Sequence, residues 1–253
     1  MSDFLNTSLT FNSIRADRTI AERNRARFDR WGVTCISLIG RPGAGKTVLL
    51  EQTITALNDK LEIAAISGDI SANFETEAWQ DLEIPTIAIH PHHSGHLNAG
   101  TVSEGLSQIE SEYRPSELDL ILIENVEDRT LSEGLTIGED TIGEHTKVVL
   151  LNSTDLAEQI LESRAICRDA DCILITKTDL AVNLDLDRIL LDMHHINPNA
   201  TILPVSAKTG AGLAAWFNWV GLQVALRSQS AKAAKVEHSR SPMSVRSSTV
   251  VVG

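Results

Sequence analysis

Eight residues constrain this chain more than any others: Gly40-Arg-Pro-Gly-Ala-Gly-Lys46-Thr47, which match the pattern GxxxxGK[ST] in full. Such a loop needs a particular setting. An apolar strand must deliver it and a helix must leave it, so that backbone N–H groups and a helix N-terminus converge on one anion. Both neighbours are present: Val33–Ile39 is a short apolar run, and Thr47–Leu57 has helical character. The expected phosphate cradle is Gly43, Ala44, Gly45, Lys46 and Thr47. Lys46 is expected to bridge the β and γ phosphates as a catalytic charge, and the Thr47 hydroxyl to hold Mg²⁺.

The rest of the chain supplies the fold that such a loop requires. Ile63–Ser67, Thr86–Ile89, Leu118–Ile123, Lys147–Leu151, Cys172–Ile175 and Thr201–Val205 are continuous apolar runs, which read as strands buried on both faces. Helical stretches are expected at Ala16–Trp31, Phe74–Leu82, Ala99–Glu112, Leu156–Cys167, Leu186–His194 and Leu213–Leu226. The alternation predicts an α/β fold: a mostly parallel sheet with helices on both faces, in a P-loop NTPase of the G-domain kind. With no internal repeat, we expect one domain over 14–227, a short N-terminal extension over 1–13 and a disordered tail over 228–253. That tail is rich in Ser and Ala, with Lys232, Lys235, Arg240 and Arg246 against Glu237.

Charge narrows the partners. A net charge of -12 makes nucleic acid and anionic membranes poor partners for the body of the protein. The first eleven residues lack a basic start followed by an apolar run, so no secretory leader is expected. Cys35, Cys167 and Cys172 form no CxxC pair, which fits buried thiols in a cytoplasmic protein.

Two kinds of loop residue complete the expected site. Glu124 ends an apolar strand, the place from which such folds address Mg²⁺, and Asp69 follows another strand in Ser67-Gly-Asp-Ile. Both are expected in or near the metal shell, where they would serve catalysis. The base is addressed by Thr176-Lys177-Thr178-Asp179, close to the guanine-reading NKxD. A carboxylate at Asp179 can accept from N1–H and the exocyclic amine of guanine, and the Lys177 stem can lie on the ring. Thr176 in place of asparagine removes a side-chain amide, although its hydroxyl can make part of the same loop contacts. Ser206-Ala207-Lys208 follows the last strand, where an amide can reach the guanine oxygen. The expected nucleotide is GTP, read by Lys177, Asp179, Ser206 and Ala207.

From about Asn24 to Val220 the chain resembles the hydrogenase maturation factor HypB family. The likeness is carried by Asn24-Arg25 and Phe28, the phosphate loop with its helix, Ile66-Ser-Gly-Asp-Ile70, Gly95-His-Leu-Asn-Ala99, Ile123-Glu-Asn-Val126, the TKTDL stretch and SAKTGAGLAAWFNWV. The resemblance implies a GTPase whose hydrolysis gates nickel delivery to a hydrogenase precursor, alongside other maturation factors and through a nucleotide-dependent homodimer.

The departures are specific. Gly95 stands where the family has a cysteine, and Asn98 where it has an aspartate. A second family cysteine is missing from 127–135, and Glu127 replaces a glycine. Asn152-Ser-Thr-Asp-Leu-Ala replaces an EGEDKPLKYP-like segment, and no His-rich N-terminal store is present. What remains is His90-Pro-His92-His93-Ser-Gly-His96, whose imidazoles can bind Ni²⁺ or Zn²⁺ without thiolates. His92, His93 and His96 are the candidate ligands, His96 because it aligns with the family's own. The alternative is a guanine-nucleotide-dependent binding switch that has lost metal delivery. Trp216 and Trp219 are expected in the core.

Overall fold

The computed structural model describes residues 2–68, 84–89, 96–126, 141–181 and 185–240. The expected helix Phe74–Leu82, the candidate residues Asp69, His92 and His93, and Glu127 lie outside the described residues.

Seven strands form one sheet: β1 (Thr34–Gly40), β2 (Ile63–Ser67), β3 (Thr86–Ala88), β4 (Leu120–Val126), β5 (Thr146–Asn152), β6 (Cys172–Thr176) and β7 (Thr201–Pro204). Their order is β3-β2-β4-β1-β5-β6-β7, and all six pairings are parallel. Each corresponds to an apolar run picked out above. Strand β4 runs three residues further than expected, so Glu124 and Asn125 sit within the ladder, opposite Leu38 and Ile39 of β1.

Helices cover both faces: α1 (Ser2–Trp31), α2 (Lys46–Leu57), α3 (Ala99–Glu112), α4 (Leu156–Glu162), α5 (Arg164–Arg168), α6 (Leu186–Ile196) and α7 (Leu213–Arg240). The period-two alternation of a strand sends neighbouring side chains to opposite cores. In β4, Leu120 and Leu122 join Leu49, Leu50 and Ile54 of α2 and Trp216 of α7. Ile121 and Ile123 join Phe28 of α1 and Leu106 of α3. A third cluster packs β5 and β6 against α4 to α6. Trp216 is fully buried and its indole N–H donates to Thr53 Oγ1 at 2.8 Å, so it is a core residue as expected.

Three helix boundaries differ from expectation. Helix α1 begins at Ser2, because neither glycine nor proline interrupts the chain before Gly32, whose positive φ of 78° ends it. Helix α7 continues to Arg240, so 228–240 is helical where the composition led us to expect disorder. Its Ala and Lys residues are good helix formers, and the first proline is Pro242. The expected helix Leu156–Cys167 is divided at the buried Ser163 into α4 and α5.

Helix α1 is docked by named contacts. The Asn24 amide donates to Ala99 O at 2.8 Å and Ile142 O at 3.0 Å. Arg27 reaches Ser103 O and, at 2.7 Å, Glu110. The Asn24 and Phe28 signature noted above is thus the anchor of α1.

Candidate nucleotide-binding site

The phosphate loop leaves β1, at the centre of the sheet, and enters α2. Gly45 is the N-cap of α2 with φ 87°, a left-handed conformation that glycine adopts without strain. A Cβ there would lie 4.0 Å from Lys177 Cε, so the lysine stem of the third loop rests beside the first. Lys46 is buried, and its ammonium donates to Gly40 O at 3.0 Å and Arg41 O at 3.2 Å, across the loop. Gly43 has φ 77° and Ala44 is buried beneath the loop.

Glu124 lies two strand positions from the carboxyl end of β4, and the register brings it beside Ser67 of β2. The Thr47 hydroxyl donates to Glu124 Oε1 at 2.9 Å, and Ser67 Oγ lies 3.5 Å from Oε2. Two hard oxygen groups that could hold a small divalent cation are therefore adjacent. Ser67 was not singled out from the sequence, because only the register of β2 on β4 places it beside the Glu124 carboxylate.

The other half of the site joins β5, β6 and β7. Thr176 Oγ1 contacts Ala44 O at 2.8 Å and Leu151 O at 3.2 Å, tying the TKxD turn to the phosphate loop. Ser206 is buried, and its hydroxyl donates to Asp179 Oδ1 at 2.6 Å, which aims the carboxylate. Thr209 N donates to that same Ser206 oxygen at 3.2 Å. Between these loops opens a cavity of ≈ 590 Å³, including its open mouth, lined by Gly45, Val48, Lys177, Asp179, Leu180 and Ala207. Its single aimed carboxylate could accept from a ligand with adjacent donors. Val48 and Leu180, its half-exposed apolar walls, lie within motifs noted above, but neither was given a role there.

The histidine-bearing segment touches the site through its last residues. Leu97 is fully buried and lies over Gly68, where a Cβ would come within 2.3 Å of Leu97 Cγ. Asn125 clamps Leu97 from β4, accepting from Leu97 N at 2.8 Å and donating to Leu97 O at 3.0 Å. Three short motifs at 67–68, 96–99 and 124–126 are thus one contact unit. Asn98 caps α3: its Oδ1 accepts from Thr101 N at 2.9 Å while its own N–H donates to Thr101 Oγ1 at 3.0 Å. Asparagine caps a helix as well as aspartate does, which accounts for that departure. His96 is half-buried beside this cap, and among the described residues no group of three His, Cys, Asp or Glu is placed to hold a metal.

Comparison with known proteins agrees with this geometry. The probable hydrogenase maturation factor HypB of Methanocaldococcus jannaschii is 31% identical over 201 residues, which is 79% of this chain and 87% of that protein. HypB of Azotobacter vinelandii is 31% identical over 209 residues, and the chain spans 66% of its length. The crystal structure of HypB from Archaeoglobus fulgidus superposes with a TM-score of 0.72 at 30% identity, over 83% of this chain and 99% of that one. HypB from Helicobacter pylori in complex with nickel shares the fold, with a TM-score of 0.74 at 21% identity over 84% of this chain and 97% of its own. Residues 34–204 match the CobW/HypB/UreG nucleotide-binding domain. The chain belongs to the CobW/HypB/UreG family and, within it, is similar throughout its folded body to hydrogenase maturation factor HypB.

Proposed function

We propose that this protein hydrolyses GTP and that the cycle gates nickel delivery to a hydrogenase precursor. The carrying observation is the cavity in which Asp179, held by Ser206, faces a phosphate loop braced by Lys177 and Thr176. Asp179 accepts from guanine N1–H and the 2-amino group, donors that adenine does not present together. Lys46 and the amides of 43–47 hold the phosphates. Thr47 and Glu124 would hold Mg²⁺, with Asp69 following two residues after Ser67, and the ion would offset charge on the β and γ oxygens. The chain contributes position and charge rather than a covalent intermediate. Arg41, inside the loop, is engaged in an ion pair with Glu162 of α4, consistent with slow intrinsic turnover.

The test is Asp179→Asn, assayed by calorimetric titration. GTP affinity should fall about a hundredfold, or about 2.7 kcal/mol, while xanthosine triphosphate gains. Unchanged preference for GTP over ATP rejects the reading.

The second reading, a nucleotide switch without metal delivery, is favoured by Asn98 being engaged as a helix cap. Equilibrium dialysis against Ni²⁺ and Zn²⁺ separates the two, with His92, His93 and His96 each changed to Ala. Absence of a saturable site tighter than about 10⁻⁵ M, about -7 kcal/mol, would leave the switch. We place the protein in the cytoplasm, on the burial of its three cysteines in the core. A homodimer that forms with GTP is expected, and sedimentation with a non-hydrolysable analogue checks it.

A further inference from the structure

Thr176 occupies the position at which the guanine-reading pattern carries asparagine, and its hydroxyl has one proton for two carbonyls, Ala44 O and Leu151 O. An asparagine amide would have two. The residue that follows, Lys177, has φ 56°, a left-handed conformation that a Cβ makes costly, so its peptide must be held in place. Ser153 does this. Asn152 pairs with Thr176 across β5 and β6, which puts the next residue beside Lys177. Ser153 is buried, and its hydroxyl donates to Lys177 O at 2.8 Å, alongside Leu180 N at 2.9 Å. The turn at 153–155 does not need that hydroxyl, because it is capped by Asn152 Oδ1 accepting from Thr154 N.

We infer that Ser153 is a positioning residue for base recognition: its hydroxyl holds the Lys177 carbonyl, while the Thr176 hydroxyl ties the same turn to Ala44 O and Leu151 O. It acts through Lys177, whose stem rests beside Gly45 and whose turn carries Asp179 to the cavity. Ser153 lies in the segment that replaces the family's EGEDKPLKYP-like stretch. This inference rests on the guanine reading above.

The experiment titrates the full chain with GTP, ITP and ATP, since ITP lacks the 2-amino group that Asp179 reads. Ser153→Ala should weaken GTP binding about tenfold, equivalent to about 1.4 kcal/mol, and shrink the GTP-to-ITP ratio by a similar factor, with kcat at saturating GTP unchanged. Ser153→Thr keeps the hydroxyl and should behave as the parent. If Ser153→Ala discriminates as well as the parent while Asp179→Asn does not, Ser153 is idle and this inference alone falls. Equal weakening of all three nucleotides with a lowered Tm would make its role purely structural and would also overturn it. A parent that does not distinguish GTP from ATP removes the guanine reading and this inference together.

Discussion

At the amino ends of the strands, polar side chains turn inward and satisfy one another; at the carboxyl ends they converge on open space. His145, just before β5, accepts from Cys35 N through Nδ1 at 2.9 Å, and its Nε2 faces Asp29 Oδ1 of α1 at 3.1 Å. Arg227 of α7 pairs with the same aspartate. Asp171 accepts from Lys147 N at 2.8 Å, and buried Glu144 accepts from Ile142 N at 2.9 Å. The His145–Asp29–Arg227 contacts lock the first and last helices to the sheet, and Asp171 and Glu144 close the backbone beside it. At the other end, Lys46, Glu124, Lys177 and Asp179 are each braced by neighbours yet directed at the cavity or the phosphate loop. A parallel sheet explains the asymmetry, since all its strands end at the same edge, where β1 delivers the phosphate loop and the N-terminus of α2. The lesson is that polar burial means closure at one edge and recognition at the other.

That contrast predicts different signatures for changes at the two edges. The largest effect is expected from Lys46→Ala, which should weaken GTP at least about a hundredfold, or about 2.7 kcal/mol, with little change in urea unfolding. Retained affinity would break the distinction outright. Next comes the contact of Leu97 on Gly68. Gly68→Ala should cost about 2 kcal/mol in the parent and much less when Leu97 is already Ala, a coupling read by a double-mutant cycle. Additive costs would show that the two motifs are not one unit. Asn125→Ala removes the clamp on Leu97 and should cost about 2 kcal/mol, with faster hydrogen exchange at 97 as the local readout.

The smallest effect belongs to the amino edge. Burial pushes the His145 pKa down to about 4, with Asp29 partly opposing the shift. The folded protein therefore resists taking up a proton that the unfolded chain binds below about pH 6.5. The stability from neutral His145 is complete above that value and is lost as pH falls towards 4. Unfolding free energy should drop by about 1–2 kcal/mol over that window through this group, and His145→Asn should flatten the slope without altering GTP affinity at neutral pH. A shift in nucleotide affinity would blur the two edges.

Much of this architecture was legible beforehand, and particular residues show why. The strands were readable because each is buried on both faces, so apolar continuity marks it without help from its partners. The turn from β1 into α2 was readable because left-handed conformations at Gly43 and Gly45 demand glycine at fixed places. The extents of α1 and α7 were misjudged because polar, breaker-free sequence is compatible with both helix and coil.

Ser67, Ser153 and Asn125 were out of reach for a different reason. Each works through a partner 24 to 57 residues away, on a neighbouring strand or a distant loop. A serine hydroxyl carries no mark of the carbonyl it will meet. By itself the sequence determined the sheet, the phosphate loop and the order of the base-reading segments, since these depend on local composition and spacing. Tertiary structure alone decided which hydroxyl holds which turn, because strand register sets that, and register is a property of the pairing rather than of either strand.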